Sequence, residues 1–400
     1  MRDVRVVEVA LYALVPAAGA VLADWGAEVI KVEHPAGGDP IRNLSAFGVD
    51  PDTGGFTYLW EVMNRGKRSV CIDLATEDGH ALLLELVRSA DVFLTNFLPP
   101  ARRKLGIDAE ELMAVNPRLI YARGSGYGTR GDEADKGGYD GITYWNRTGV
   151  AAAATPPGQQ LVGLPGPAFG DIQGAMTLAG GISAALYERE RTGRGCVVDT
   201  SLFAAGMWAM QATFVGSSVL GVSTLPRTDR FHVANPLANT YRTADDRYIV
   251  LAMLQADRYW ERLCEVIGRP ELAADPRFTT METRRANAVE CVAILDAVFA
   301  ARPLAEWCRV LATQDGQWEV VRLVGELADD AQAWANGYLQ RVHYDDGREL
   351  VLIPAPVQFN EEPSTLRPAP ELGADTEDVL LGLGHDWDSI IALKVSGAVG

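Results

Sequence analysis

Short β-branched runs alternate with longer amphipathic segments through the first 130 residues. Residues 4–9 and 28–32 have the composition of buried strands, and between them apolar side chains recur every three or four positions from Leu14 to Trp25. The same alternation predicts strands at residues 69–74, 92–95 and 119–123, and helices at residues 76–90 and 109–115. Because strands separated by helices pair in parallel through right-handed crossovers, the pattern predicts a Rossmann-like open α/β sheet.

The pattern changes after this alternation. Residues 124–170 are rich in glycine and proline, and loops of that length in a compact protein are usually functional. Helical spacing resumes from Ile172 until Gly193, residues 197–201 resemble another strand, and an apolar segment follows to about Leu220. We therefore assign residues 1–220 to one large α/β domain.

The remainder of the chain has a different character. Two strands at residues 240–243 and 248–253 meet across a turn, and helical patterns follow, which predicts a smaller α+β domain at residues 225–330. Residues 331–400 contain a further strand and a proline-rich loop, and we expect this C-terminal segment to return to the large domain. A length of 400 residues exceeds that of most single cores, which agrees with two domains.

Composition and charge exclude several classes of protein. The net charge of −17 disfavours nucleic acid and anionic membranes as partners, because both require a basic face. No apolar run approaches the ~20 residues that span a bilayer, and the N-terminus lacks a signal-peptide pattern, so we expect a cytoplasmic protein without a membrane partner. The five cysteines are scattered, with no CxxC pair and no histidine at metal-ligand spacing, which predicts reduced thiols and no metal site.

A dinucleotide cofactor is not expected either. Sheets of this kind commonly have a GxGxxG loop after the first strand, where glycines let a pyrophosphate approach a helix N-terminus. Residues 10–16 occupy that position here and contain no glycine. The sequence therefore predicts no nicotinamide or flavin dinucleotide and no tightly bound cofactor.

Asp171 is the most suggestive single residue. It lies between a glycine-rich loop at residues 163–170 and the first turn of the following helix. An aspartate in that place commonly caps the helix, because its carboxylate accepts a hydrogen bond from a free backbone N–H group. The functional interpretation is that the loop exposes the carboxylate while helix-end amides favour its ionised form, which makes it a nucleophile toward an activated acyl group. The two interpretations are compatible.

Many short segments occur in an order that a known family shares. They are residues 22–33 (LADWGAEVIKVE), Gly38-Asp39 with Arg42, residues 64–69 (NRGKRS), residues 90–92 (ADV) with Asn96-Phe97, residues 116–121 (NPRLIY), Gly138-Tyr139-Asp140, Gly170-Asp171, residues 191–195 (RTGRG), Asn235-Pro236 and residues 371–373 (ELG). Through their number and order, the chain resembles the family III CoA-transferases, which include formyl-CoA and carnitine CoA-transferases. The resemblance covers nearly the whole chain.

The resemblance implies a reaction and a set of site residues. Asp171 corresponds to the family's nucleophile, which forms an anhydride with the donor acyl group and then an aspartyl-CoA thioester, so neither ATP nor a metal is needed. Tyr139 is implied as a second catalytic residue. The positions implied for CoA binding are His34, Ile72, Asn96, Phe97, Arg103 and Lys104. The two basic residues suit phosphate chemically, although a solvated helix end explains them equally well.

The same resemblance implies substrates and an assembly. The substrates are a coenzyme A thioester and a carboxylic acid, and the assembly is an interlocked homodimer. Ala13 replaces a glutamine typical of formyl-CoA transferases, and residues 233–255 contain no tetraglycine loop, so we expect an acyl group larger than formyl or oxalyl.

Two other functions remain open on the sequence. Related CoA-thioester racemases place histidine where this chain has Tyr139, because proton exchange at the α-carbon needs a base that titrates near neutrality. Tyrosine titrates near 10, which favours a transferase over a racemase or isomerase. A catalytically silent CoA-binding protein is the other alternative, and the intact Gly170-Asp171 pair argues against it.

Overall fold

A computed structural model describes residues 1–44, 57–226 and 229–400. The chain divides into two units, one made of Met1–Thr224 and Ala331–Gly400 and the other of Leu225–Asp330. A six-stranded sheet and a two-stranded sheet lie in the first unit, and a three-stranded sheet lies in the second.

The large sheet of the first unit is parallel throughout. Its strands are β1 (Arg5–Val9), β2 (Glu28–Glu33), β3 (Arg68–Cys71), β4 (Val92–Thr95), β5 (Ile120–Ser125) and β6 (Val197–Ser201). They pair in the order β3-β2-β1-β4-β5-β6, with Val7 opposite both Ile30 and Phe93. The predicted open parallel α/β sheet is thus confirmed. The strand order reverses between β1 and β4, and open sheets bind ligands at the carboxyl ends of the strands beside such a reversal.

Helices cover both faces of this sheet. The helices of residues 1–224 are α1 (Leu14–Asp24), α2 (Tyr58–Asn64), α3 (Glu77–Arg88), α4 (Pro99–Leu105), α5 (Ala109–Val115), α6 (Val150–Ala154), α7 (Phe169–Thr192), α8 (Leu202–Ala209) and α9 (Gln211–Leu220), and α1 and α7 pack on one face of the sheet while α3 and α5 pack on the other. Thr76 caps α3, because its hydroxyl oxygen accepts the Gly79 N–H at 3.0 Å. No helix in the described part of the chain is both long and apolar enough to cross a membrane.

Two local predictions need correction. The glycine- and proline-rich stretch contains a π-helical turn at Gly141–Arg147 and the short helix α6, so it is only partly a loop. Strand β3 ends at Cys71, three residues earlier than predicted. The reason is that the chain turns to a new partner after its last bond to β2: Ile72 still donates to the Glu33 carbonyl at 2.9 Å, but it also forms an antiparallel bridge with Val399, and Asp73 donates to the Ala398 carbonyl at 2.9 Å.

The alternation of strand side chains separates two cores. Val6 and Leu94 face a core shared with α1 and α7, whereas Val7 and Phe93 face a core shared with α3 and α5. In the first core the Leu14 side chain lies so close to Gly174 that a Cβ atom there would be 2.5 Å away. The N-terminal turns of α1 and α7 therefore lie together beside the carboxyl edge of the sheet.

The second unit is a small α+β structure. Its antiparallel strands are β7 (Ala238–Arg242), β8 (Tyr248–Ala252) and β9 (Trp318–Val320), and its helices are α10 (Ala256–Val266), α11 (Glu271–Ala274), α12 (Met281–Ala286), α13 (Ala288–Phe299) and α14 (Leu304–Leu311). The predicted strand pair is confirmed. Tyr241, Phe299 and Trp307 stack in its core, with ring centroids 5.0 Å and 4.8 Å apart along the series.

The C-terminal segment packs on the large sheet. It contains α15 (Ala331–Ala335), the antiparallel pair β10 (Gln340–His343) and β11 (Glu349–Leu352), α16 (Thr376–Leu383) and α17 (Trp387–Val395). Asp375 accepts the Ser69 N–H at 2.9 Å, and Thr376 accepts the Cys71 N–H at 3.0 Å. These bonds cover the edge of β3, which would otherwise expose unpaired backbone groups.

Candidate active site

Asn96 joins the carboxyl ends of β1 and β4. Its Oδ1 accepts the Leu11 N–H at 3.0 Å, and its Nδ2 donates to the Leu11 carbonyl at 2.6 Å. The side chain thereby holds residues 10–13 in place, where a dinucleotide-binding protein has its glycines. The resemblance assigned Asn96 to CoA binding, but both polar atoms of its side chain are bonded to the backbone of Leu11.

Four buried charged side chains lie beside the loop of residues 10–13. Glu8 accepts hydrogen bonds from Lys31 at 2.9 Å and from Lys67 at 2.8 Å, and Lys31 lies 3.0 Å from Asp39 Oδ2. The other oxygen of Asp39 accepts the Tyr12 N–H at 3.0 Å, and Tyr12 has a left-handed φ of 65°. The cluster therefore fixes an unusual backbone turn at the site. The cluster was not predicted from the sequence, although Glu8 and Lys31 are charged residues inside predicted buried strands.

Asp171 lies in the first turn of α7 and does not cap it. The helix begins at Phe169, so Asp171 is its third residue, and the capping position belongs to Ala168 with a left-handed φ of 57°. The interpretation of Asp171 as a helix cap is therefore wrong. Within the described ranges neither oxygen of its carboxylate has a hydrogen-bond or ion-pair partner.

Burial determines the protonation of Asp171. It raises the pKa of this carboxyl from 3.8 to about 7, and the neighbouring Asp140 carboxylate adds to the rise. This result corrects the expectation that helix-end amides keep the group ionised. A helix end contributes about 0.3–1 kcal/mol, whereas a pKa difference of this size corresponds to about 4 kcal/mol.

Asp140 and Gly170 form the support of Asp171. Asp140 Oδ2 accepts the Gly170 N–H at 2.8 Å. Burial raises the pKa of Asp140, and the backbone N–H groups of Gly170 and Asp171 offset part of that rise. A Cβ atom on Gly170 would overlap the Tyr144 ring and lie 2.5 Å from Asp140 Oδ1, so only glycine fits there. Asp140 belongs to the Gly138-Tyr139-Asp140 motif but was not predicted as a site residue.

Two cavities meet at Asp171. The central cavity, of about 350 Å³, is lined by residues that include Asn96, Phe97, Gly126, Tyr139 and Asp171. The apolar cavity, of about 450 Å³, is lined by residues that include Ile41, Leu59, Met63, Leu164, Tyr139 and Asp171. Tyr139 and Asp171 border both cavities, so the carboxylate lies at their junction. Across the described ranges, no group of three or more His, Cys, Asp or Glu side chains is placed to hold a metal ion.

A third cavity adjoins the central one. This strand-end cavity, of about 370 Å³, is lined by residues that include His34, Ile72, Asp73, Phe97 and Leu105. Phe97 borders both the strand-end and the central cavities. The structure thus places His34 and Ile72 together, and it links them through Phe97 to Asn96 and Asp171.

Tyr139 lines the site and is largely exposed to solvent. Its side chain is 61% exposed, and its ring meets the Tyr12 ring edge-on with the centroids 5.8 Å apart. Burial, followed by the neighbouring Tyr139, raises the pKa of Tyr12. The two rings therefore form a contacting pair that lines both the central and the apolar cavities, as Asp171 does.

The basic residues of α4 divide into two groups. Arg102 is buried, and it donates to Asp108 at 2.7 Å and to the Phe97 carbonyl at 2.9 Å, so it positions Phe97. Arg103 and Lys104 are exposed, and among the described residues they have no ion-pair partner. The next residue, Leu105, lines the strand-end cavity, which brings this end of the helix to the cavity rim.

Comparisons with known proteins agree in family and fold. Residues 1–376 match the family model described as CoA-transferase family III. The chain is 33% identical over 404 residues to (R)-2-hydroxy-4-methylpentanoate CoA-transferase of Clostridioides difficile, covering 100% of this chain and 99% of that protein. It is 33% identical over 400 residues to succinyl-CoA–D-citramalate CoA-transferase of Chloroflexus aurantiacus, with 98% and 96% covered. A crystal structure of a CAIB/BAIF family protein from Brucella suis is similar with a TM-score of 0.81 at 28% identity, covering 96% of this chain and 98% of that one.

Proposed function

This chain belongs to CoA-transferase family III, and we propose that it transfers coenzyme A from an acyl-CoA donor to a carboxylic acid through covalent intermediates on Asp171. It is an acyl-CoA:carboxylate CoA-transferase, in agreement with the resemblance seen in the sequence. The observation that carries the mechanistic proposal is the unpaired carboxylate of Asp171 at the junction of two cavities.

The chemistry proceeds by exchange between thioesters and anhydrides. An oxygen of Asp171 attacks the thioester carbonyl, the CoA thiolate leaves, and a mixed anhydride forms. The thiolate then attacks the aspartyl carbonyl, which releases the donor acid and leaves an aspartyl-CoA thioester. The acceptor carboxylate attacks that thioester to form a second anhydride and free thiolate. Attack of the thiolate on the acceptor carbonyl gives the new acyl-CoA and restores the carboxylate.

A pKa near 7 suits this role. A basic carboxylate is a stronger nucleophile than an ordinary one, and about half of it is ionised at neutral pH. The Asp171 carboxylate has no cation to neutralise it in the described part of the chain, so its negative charge stays available for attack. Tyr139 borders the same space, and its hydroxyl can donate a hydrogen bond to the acyl oxygen.

The three cavities suggest a path for coenzyme A. In this proposal the nucleotide occupies the strand-end cavity at His34 and Ile72, and the pantetheine arm passes Phe97 into the central cavity. Arg103 and Lys104 at the rim are free to meet the phosphates as a planar fork and a point charge. The thioester carbonyl then reaches Asp171, and the acyl group enters the apolar cavity.

The racemase alternative is not favoured. Both relatives compared above are named as CoA-transferases. The side chain that lines both cavities with Asp171 is Tyr139, at the position where the related racemases have a histidine. The resemblance further implies a homodimer in the cytoplasm, and we propose that assembly. Light scattering that gives the mass of one chain in the active fraction would contradict it.

Mass spectrometry of the intact protein tests the covalent mechanism. Protein mixed with an acyl-CoA should gain the mass of coenzyme A less one water, because the thioester replaces a carboxyl oxygen, and peptide mapping should place the adduct on Asp171. Free coenzyme A without an acyl group should give no adduct, which is the control. An adduct on another residue, or turnover without any adduct in the Asp171 peptide after trapping with hydroxylamine, would refute the proposal.

A further inference from the structure

The apolar cavity lies on one side of Asp171, and the central cavity lies on the other. Backbone groups of the glycine-rich loops, such as Gly126 and Gly138, line the central cavity, together with Asn96. The apolar cavity is instead walled by aliphatic side chains, of which Ile41 is 2% exposed and Met63 is fully buried. The nucleophile therefore separates a partly polar space from an apolar one.

The charges in the apolar cavity are of one sign. Its lining within the described ranges contains the carboxyl groups of Asp140 and Asp171 but no lysine, arginine or histidine. Cations on neighbouring elements already have partners. Arg42 lies 2.7 Å from Glu33 and stacks on the ring of Trp60. Lys31 and Lys67 are both paired with Glu8.

This arrangement discriminates between classes of acid. A second carboxylate on an acyl group would enter the cavity without a cationic partner and beside two acidic residues, which is strongly unfavourable. An aliphatic or aromatic acyl group would instead cover apolar surface and gain from leaving water. Resting on the proposed function, we infer that the apolar cavity selects acyl groups of monocarboxylic acids with bulky branched or aromatic chains and rejects acyl groups of dicarboxylic acids.

Leu164 and Leu161 offer a matched pair of positions. Leu164 lines the apolar cavity, whereas Leu161 lies three residues earlier in the same loop and is 63% exposed. An arginine at the first position would supply the missing cation, and an arginine at the second would change the net charge equally without entering the cavity. Both residues lie outside regular helix and strand, so we expect either substitution to leave the backbone unchanged.

The experiment compares donors by kcat/KM and by the CoA adduct on Asp171. The donors are 4-methylpentanoyl-CoA, 3-phenylpropanoyl-CoA, succinyl-CoA and glutaryl-CoA, each with the same acceptor acid. The wild-type protein should prefer the first two by at least about a hundredfold, because one unpaired buried charge costs several kcal/mol. Leu164→Arg should shift the preference toward succinyl-CoA by about tenfold or more, and Leu161→Arg should leave it unchanged.

The outcomes separate this inference from the proposed function. Equal use of succinyl-CoA and 4-methylpentanoyl-CoA by the wild-type protein would overturn the inference while leaving the transfer mechanism intact. An equal shift in both arginine variants would also overturn it, because selectivity would then come from net charge and not from the cavity. No adduct from any of the four thioesters would overturn the proposed function itself.

Discussion

Replacing Asp171 by asparagine should abolish transfer and at the same time stabilise the folded protein. The amide has almost the same shape as the carboxylate but is neutral at every pH and is not a nucleophile. Burial and the nearby Asp140 make the charged form of Asp171 unfavourable in the folded state. The substitution should remove that penalty together with the chemistry. A residue that merely supports the helix would show the opposite pair of effects.

The magnitude follows from the pKa. Between pH 3.8 and about pH 7, Asp171 is ionised in the unfolded chain but keeps its proton in the folded chain. The contribution of this group to stability is therefore fully present below about pH 4, falls as the pH rises to about 7, and is constant above that. The whole difference corresponds to about 4 kcal/mol at 1.36 kcal/mol per pH unit. Solvent reaches part of the side chain, which reduces the expected gain to ~1–3 kcal/mol.

Urea unfolding of both proteins at two pH values measures this effect. Asp171→Asn should be more stable than the wild type at about pH 8.5, and the gain should shrink at about pH 5.5. Turnover should fall by about 10³ or more. Asp132→Asn removes the same charge from an exposed position and should change neither property. Lower stability of Asp171→Asn at the higher pH would refute the electrostatic reasoning, and retention of more than about a tenth of the activity would refute the catalytic role.

Three further predictions concern charge elsewhere in the site. The kcat/KM of the wild type should rise about tenfold per pH unit up to about pH 7 and then become constant. Asp140→Asn should move this inflection to lower pH because a negative charge beside Asp171 is lost, and an unchanged inflection would show that Asp140 does not affect the pKa of Asp171. Lys104→Ala should weaken CoA binding by about tenfold to a hundredfold in titration calorimetry, and the control Arg88→Ala, at the opposite edge of the sheet, should leave the affinity unchanged. Equal affinities of the wild type and both variants would show that Lys104 is only a surface charge. Glu8→Gln should lower the free energy of unfolding by ~3–5 kcal/mol, because two buried lysines lose their carboxylate partner. Glu133→Gln, in an exposed ion pair, should give no measurable loss, and equal losses in urea unfolding would show that burial does not set the size of the effect.

The local pattern of the sequence was sufficient to predict most of the secondary structure and the sheet type of the large unit. Strands such as Val92–Thr95 and helices such as Ala109–Val115 were predicted with the bounds that they have, because their periodicity and capping residues are local. Alternation of the two types then required a parallel sheet. The ordered motifs indicated the family, and the comparisons confirm it.

Tertiary structure alone decided the electrostatics of the site. Asp171 and Asp140 are 31 positions apart, and only the packing of the π-helical turn against the start of α7 makes one raise the pKa of the other. Glu8, Lys31, Asp39 and Lys67 come from separate segments and pair with one another only after the sheet has formed. The cost of removing a charge from water depends on every atom around it, and contacts between distant segments supply those atoms. Periodicity therefore identified most strands and helices of the large unit, but it gave neither the pKa of Asp171 nor the lining of the cavities around it.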